Sequence, residues 1–304
     1  MAGRCGSLGL HVNPLVAMAA LLTLTPYGIA AFFGERAIAW AQKPPLWVRL
    51  FAPAILCVPY ALVAGSAGIL GWRGVVLYAC LPVAITVLLW QAGQLDPEQR
   101  GNWRDFLVLA TLGLAVDLRW FEHVWPPHLA IFNKVLLLDA GIYAFLALRR
   151  LRGVGFDLRL RLRDAGIGLR ELAFYAPIAL ALGLALGFLH FHGWRAAWPG
   201  VARIAGAWIF TFLFIAVPEE LFFRGWLQNL LEGRVGRAWA LCITAALFGL
   251  SHFNKRAAHF NGRYVLLAAL AGIFYGRAWR SQRRVGASAI THASVDAIWG
   301  LWLQ

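Results

Sequence analysis

Apolar runs of bilayer-crossing length recur from one end of this 304-residue chain to the other, and they restrict its fold more than any other feature. With roughly 20 residues per span as the ruler, helices are expected near 15–33, 50–64, 74–91, 105–119, 129–148, 172–191, 204–231, 237–252, 264–279 and 286–303. The run at 50–64 is short and carries Pro53 and Pro59, so a kink or re-entrant path is expected there. Lipid gives the backbone no hydrogen-bond partner, so only helices and closed barrels cross it. The short alternating strands of a barrel are not seen in the sequence. The expectation is an all-α, polytopic integral membrane helical bundle of about 10 (8–10) transmembrane helices. Composition agrees: 61% of the residues are hydrophobic and 14% charged, where soluble domains run nearer ~45–50% and ~25%.

The formal net charge of +14 invites a nucleic-acid reading, but most arginines stand between the apolar runs. Cytoplasmic loops collect Lys and Arg there, and anionic lipid attracts them. With no soluble basic domain to carry it, no nucleic-acid partner is expected. The cysteines Cys5, Cys57, Cys80 and Cys242 form no Cys-x-x-Cys pair and read as small buried hydrophobes. Residues 1–12, with Arg4, precede a run too long for a signal h-region, so the first run reads as a retained membrane helix.

One seam divides the chain, the arginine-rich stretch from Arg149 to Arg170. It separates an N-terminal transmembrane region of about five helices (1–150) from a second membrane unit (172–304), with 151–171 expected as a basic cytoplasmic loop on the lipid surface. Leu158, Leu160 and Leu162 alternate with Arg159, Arg161 and Arg163, as in a short amphipathic strand or helix edge. Placing this loop inside puts Arg277, Arg280, Arg283 and Arg284 inside too, while Lys255, Arg256 and Arg263 fall outside against the rule. Within the N-terminal region, Lys134 and Asp139 share one span; a neutralising contact or a snorkelling Lys134 is expected, with a proton relay as the alternative. His123, His128, His190 and His192 sit at span ends and read as interfacial anchors.

From residue 201 onward the acidic residues are Glu219, Glu220, Glu232 and Asp296, and all but Glu232 lie inside apolar runs, as do His252 and His292. Each such group costs roughly 2.5–3.5 kcal/mol at the centre of a membrane helix, so it needs a functional reason and a partner. Glu220 and Arg224 stand at i and i+4 with the acid first, the favourable order for a pair. Glu219 is rotated ~100° from Glu220 by the helical period and points elsewhere. Pro218 frees the carbonyl of Phe214, four residues back, and can bend the helix, opening room for water. Phe248 and His252 are again i and i+4, as are His292 and Asp296. Convergence of these faces on one wet cavity is the economical way to keep them out of lipid.

Glu-Glu-x-x-x-Arg, then Phe-x-x-x-His, then His-x-x-x-Asp, in that order on successive helices, resembles the CPBP family over about residues 204–300. That family includes CAAX prenyl endopeptidases of the Ras-converting type and bacterial proteins tied to bacteriocin processing and self-immunity. The resemblance implies an intramembrane endopeptidase of the glutamate type, a hydrolase acting on a membrane-associated peptide or protein. It implies Glu219 as general base on a water, His252 as the residue holding and polarising that water, and His292 with residue 296 toward the oxyanion. Glu220 and Arg224 are implied as a supporting pair, with Phe248 beside them. This chain has Asp296 where the prenyl endopeptidases have Asn; an ionised Asp cannot donate to an oxyanion. Asp296 is therefore protonated, orients His292, or binds something else.

No cofactor is expected on that reading. Glu219, His252, His292 and Asp296 are all plausible zinc ligands, however, and a zinc-dependent protease is the alternative, although no His-Glu-x-x-His helix is present. Two readings from other classes stay open: a non-catalytic scaffold or immunity factor, and a proton-coupled transporter using Glu219, Glu220, Lys134 and Asp139. The compact loops and the Arg and Trp usage suggest a bacterial inner (cytoplasmic) membrane.

Overall fold

In the computed structural model, which describes residues 13–190, 200–255 and 259–302, every regular element is helical. Arg4, Cys5, His192 and Arg256 lie outside the described residues. Ten helices account for the ten expected spans among the described residues. They are α1 (Pro14–Ala41), α2 (Leu46–Ser66), α3 (Trp72–Leu95), α4 (Trp103–Asp117), α5 (Pro127–Leu148), α6 (Leu162–Ala185), α7 (Ala202–Val235), α8 (Arg237–Leu250), α9 (Gly262–Gln282) and α10 (Val285–Trp302). α1, α2, α3, α5, α6 and α7 are long and apolar enough to cross a membrane. The chain is an integral membrane protein.

Local chemistry sets the ends. Asn13 caps α1 by accepting from the Leu15 amide, with Pro14 at the first helical position, where its missing N–H costs nothing. Asn102 and Asp105 form a reciprocal capping box on α4. The proline-marked run at 50–64 neither turns back nor ends: a 3-10 stretch over Ala52–Leu56 carries the helix past Pro53.

α6 starts at Leu162, ten residues before the expected span, so the loop expected through 171 ends at Arg161. The charges that look like loop residues are buried pairs instead. Asp164 accepts from Arg284 Nε at 2.8 Å, and Glu171, fully buried, is held by Arg170 at 2.7 Å and Arg277 at 3.1 Å. Residues 149–161 form a strap stitched into one end of the bundle. Arg149 is buried and bridges Asp96 and Asp105, the Leu158 amide donates to Ala31 of α1, and the Val285 amide donates to Gly155. Gly155, at a φ of +73°, lies so close to the Arg283 carbonyl that no side chain fits. Of the alternating leucines Leu158 is buried, whereas Leu160 and Leu162 are exposed. Burial opposes ionisation of Asp157, but hydrogen bonds from Arg159 and Arg284 outweigh it and hold its pKa down at about 2.

Lys134 is exposed, as the snorkelling form of the expectation has it, and the neutralising form is not seen: Asp139 is buried with neither carboxylate oxygen hydrogen-bonded among the described residues. The cysteines depart from the buried positions expected of them. Cys80 and Cys242 lie exposed on the outside of their helices and Cys57 is half-buried, all three as free thiols.

α8 and α9 pack through small residues, the usual way for membrane helices to approach closely. A Cβ on Gly249 would meet the Val265 carbonyl and lie 2.7 Å from Ala269 Cβ, and one on Gly272 would lie 3.0 Å from Ala245 Cα. Gly249→Val is expected to destabilise the detergent-solubilised protein by about 1–3 kcal/mol, read as a lowered thermal midpoint. Gly249→Ala should cost less.

Candidate active site

α7 carries the acidic pair on an irregular helix. Two π-helical segments, Phe212–Ala216 and Leu221–Gln228, flank the single α-helical turn Val217–Glu220. Such bulges arise where the regular ladder is interrupted and are frequent at functional sites; here Pro218 supplies the interruption. The turn aims its two glutamates in different directions.

Glu220 points into the bundle and is fully buried. Its Oε1 accepts from Arg224 Nη1 at 3.1 Å and from His292 Nδ1 at 2.8 Å, and its Oε2 accepts from the Ser288 hydroxyl. Arg224, also fully buried, donates from Nη2 to the Gly272 carbonyl at 3.1 Å, and its guanidinium lies 4.6 Å over the Phe248 ring and 5.4 Å over Tyr275. Such a cation–π seat suits a guanidinium removed from water.

Glu219 points the other way, toward a cavity of about 1160 Å³. Its side chain is 28% exposed. Its Oε2 has no hydrogen-bond partner among the described residues, and His292 Nε2 lies 3.9 Å from it. Next to a saturated Glu220, this is the carboxylate left with capacity to accept a proton.

His292 joins the two. Since Nδ1 donates to Glu220, Nε2 is the nitrogen that faces Glu219 and, at 3.6 Å, Asp296 Oδ2. The ring is stacked on Tyr275 at 4.7 Å and meets Phe248 edge-on at 5.6 Å. His252 donates from Nδ1 to the Phe248 carbonyl at 2.8 Å, one turn back, which leaves Nε2 as its acceptor. Its ring packs against Phe248 and Tyr264, each at 4.9 Å. Phe248 thus sits at the centre, touching Arg224, His252 and His292.

The structure gathers Glu219, Glu220, Arg224, Phe248, His252, His292 and Asp296 at one place in the bundle. Glu219 opens on the large cavity. His252, His292 and Asp296 line a second, apolar pocket of about 100 Å³ between α6, α9 and α10. Sequence reasoning missed Ser288 and Tyr275. Ser288 stands four residues before His292 and so shares its face of α10, a signal that was available; Tyr275 offered none. The role expected for Glu220 was also too narrow, because it holds His292 as well as Arg224. Among the described residues, no group of three or more His, Cys, Asp or Glu side chains is placed to hold a metal ion.

The order Glu219–Glu220–Arg224, Phe248–His252, His292–Asp296 on α7, α8 with its following turn, and α10 falls within one stretch that can be compared with known families. Residues 201–298 match the family model of type II CAAX prenyl endopeptidase Rce1-like proteins. The Rce1-like segment holds the whole cluster, and the match points to a membrane protease. Residues 1–200 lie outside it. No curated protein and no solved structure matches the chain.

The Rce1-like segment does not enclose the large cavity by itself. One wall comes from α7 and the turn after α8, through Leu213, Pro218, Glu219, Phe222, Ser251 and Lys255; the other comes from α1, α4 and α5, including Tyr27, Val116 and Lys134. The N-terminal helices therefore face Glu219 across the cavity.

Proposed function

We propose that the chain is an intramembrane endopeptidase of the glutamate type, with Glu219 as general base. The observation that carries this reading is the contrast between neighbours: Glu220 is fully hydrogen-bonded, whereas Glu219 lines the cavity and its Oε2, buried beside His292, has no hydrogen-bond partner among the described residues. A water in the cavity gives a proton to Glu219 as its oxygen attacks the scissile carbonyl carbon. The carbonyl π electrons pass to oxygen, and the tetrahedral oxyanion is stabilised from the imidazole side. Collapse breaks the C–N bond, and Glu219 returns its proton to the leaving amine. His252 holds the water through Nε2, its tautomer fixed by the Phe248 carbonyl. Asp296 lies 3.6 Å from the same His292 Nε2 that faces Glu219, and its carboxylate supports a proton on that nitrogen for donation to the oxyanion, which gives an acid a use where the prenyl endopeptidases have Asn.

The substrate is a peptide or protein at the membrane. Small-molecule sites run to roughly 300–1,000 Å³, so a cavity of about 1160 Å³ suits an extended peptide segment. We place the protein in a bacterial cytoplasmic membrane, where leader and C-terminal sorting peptides are the substrates to try. The domain division proposed is an N-terminal transmembrane region (1–150), a strap, and a protease unit ending in α10.

The test is cleavage of a fluorogenic peptide panel by detergent-purified protein, comparing the parent chain with His252→Ala, each with and without a zinc chelator. Chelator-insensitive cleavage that is lost in His252→Ala is expected. Chelator-sensitive cleavage would move the chemistry to zinc. A silent parent chain, with His252→Ala still complementing in cells, would replace the enzyme with a scaffold.

A further inference from the structure

The N-terminal helices make one polar contact with the catalytic helix whose chemistry is specific. Val217 donates its amide to the Phe212 carbonyl, five residues back, which puts this stretch of α7 in π register. The next bond in that register would run from residue 218 to the Leu213 carbonyl. Residue 218 is proline and has no N–H to give. In π register the carbonyl left open is thus that of Leu213 and not that of Phe214, as an α-helical register predicts, and it accepts instead from the hydroxyl of Tyr27, on α1, at 2.9 Å. A buried carbonyl left without a donor costs about 1–3 kcal/mol, so the hydroxyl does what the missing amide cannot.

Tyr27 is itself held. It is 7% exposed, its ring packs on Phe156 of the strap at 5.8 Å, and one turn further along α1 the Ala31 carbonyl accepts from Leu158 of the same strap at 2.9 Å. Tyr27, Leu213, Pro218 and Glu219 all line the same cavity. The hydroxyl meets the backbone just before the single α-helical turn that carries Glu219, between the two π segments.

We infer that Tyr27 is a positioning residue of the active site: its hydroxyl replaces the backbone donor removed by Pro218 and thereby fixes the direction of Glu219, making the N-terminal region part of the catalytic unit. The inference rests on the endopeptidase reading for its catalytic consequence, but the tether itself can be measured without turnover. An alternative course of α7, with the Leu213 carbonyl turned to cavity water, would rotate the turn at 217–220 and swing Glu219 away from His292.

The experiment is a double-mutant cycle on the full-length detergent-solubilised protein with two readouts. Tyr27→Phe keeps the ring and removes only the hydroxyl. It is expected to lower kcat by about 10- to 100-fold, in line with the cost of a small misplacement of a reacting group, with KM changed less than about twofold. Hydrogen–deuterium exchange should rise in 212–222 and stay unchanged in α3 and α9. Pro218→Ala restores the N–H. Whatever Pro218→Ala does alone, adding Tyr27→Phe to it should change kcat and exchange by less than about twofold, because the two sites share one acceptor. Equal effects of Tyr27→Phe in both backgrounds, or unchanged exchange in 212–222, would overturn the inference. So would a rise in exchange throughout the bundle, which marks a general structural loss. If the parent chain cleaves nothing, the endopeptidase reading fails, and the exchange cycle still decides whether Tyr27 stands in for the proline amide.

Discussion

Glu219→Gln should lower kcat/KM for any peptide the protein cleaves by about 10³-fold, within the range of roughly 10²–10⁴ supplied by a positioned acid–base group. The amide is nearly isosteric with the carboxylate but cannot take up the proton of the attacking water. Stability should not fall with it. Glu219 Oε2 makes no hydrogen bond among the described residues, and the side chain is partly open to the cavity, so the thermal midpoint is expected to hold or rise slightly, as when other strained active-site groups are removed. The pairing of outcomes discriminates among readings. A scaffold keeps its function after this substitution, and a transporter shows no bond cleavage to lose. Equal loss of activity and of stability would sink the assignment of Glu219 as base and make it a structural residue.

Arg224→Leu should show the reverse balance. Arg224 is fully buried, bonded to Glu220 and to the Gly272 carbonyl, and seated over Phe248 and Tyr275. Removing one partner of a buried ion pair leaves the other charge uncompensated, at a cost of about 3–5 kcal/mol, a large part of the ~5–15 kcal/mol by which folded domains are stable. The expected result is a sharply lowered yield and thermal midpoint in detergent, with cleavage lost as a consequence. Removing the acid as well, in Glu220→Gln/Arg224→Leu, should recover part of the midpoint, because no charge is then stranded. Cleavage should stay lost, since Glu220 also receives His292 Nδ1. A double variant no more stable than Arg224→Leu alone would show that the guanidinium acts through packing rather than charge.

The features that could be read in the sequence are those that one helix reports about itself. Bilayer thickness sets span length, so the expected span at 286–303 lies within one residue of Val285–Trp302. The 3.6-residue period put Glu220 against Arg224 and turned Glu219 away, and the structure shows both. The start of α6 could not be read this way. Arg163, Asp164, Arg170 and Glu171 look like loop residues until Arg277 and Arg284, more than a hundred positions later, arrive to pair with Glu171 and Asp164. The bond from His292 to Glu220 spans 72 positions and that from Tyr27 to Leu213 spans 186; neither has a local signature. Of the two forms expected for Lys134 and Asp139, the neutralising contact is not seen, because five residues on a helix do not bring two side chains onto one face.

The pairing of Glu220 with Arg224 inside one helix has a consequence for how the chain is made. The distant partners of that glutamate, Ser288 and His292, lie 68 and 72 positions further on. When α7 leaves the ribosome and meets lipid, neither exists yet. A lone carboxylate or guanidinium would then face the full insertion penalty of roughly 2.5–3.5 kcal/mol each. As an i, i+4 couple the two enter the bilayer already neutralised by each other, and α10 later docks its serine and histidine onto a carboxylate that has been waiting in place. The order of synthesis thus favours an acid whose first partner is its own helix.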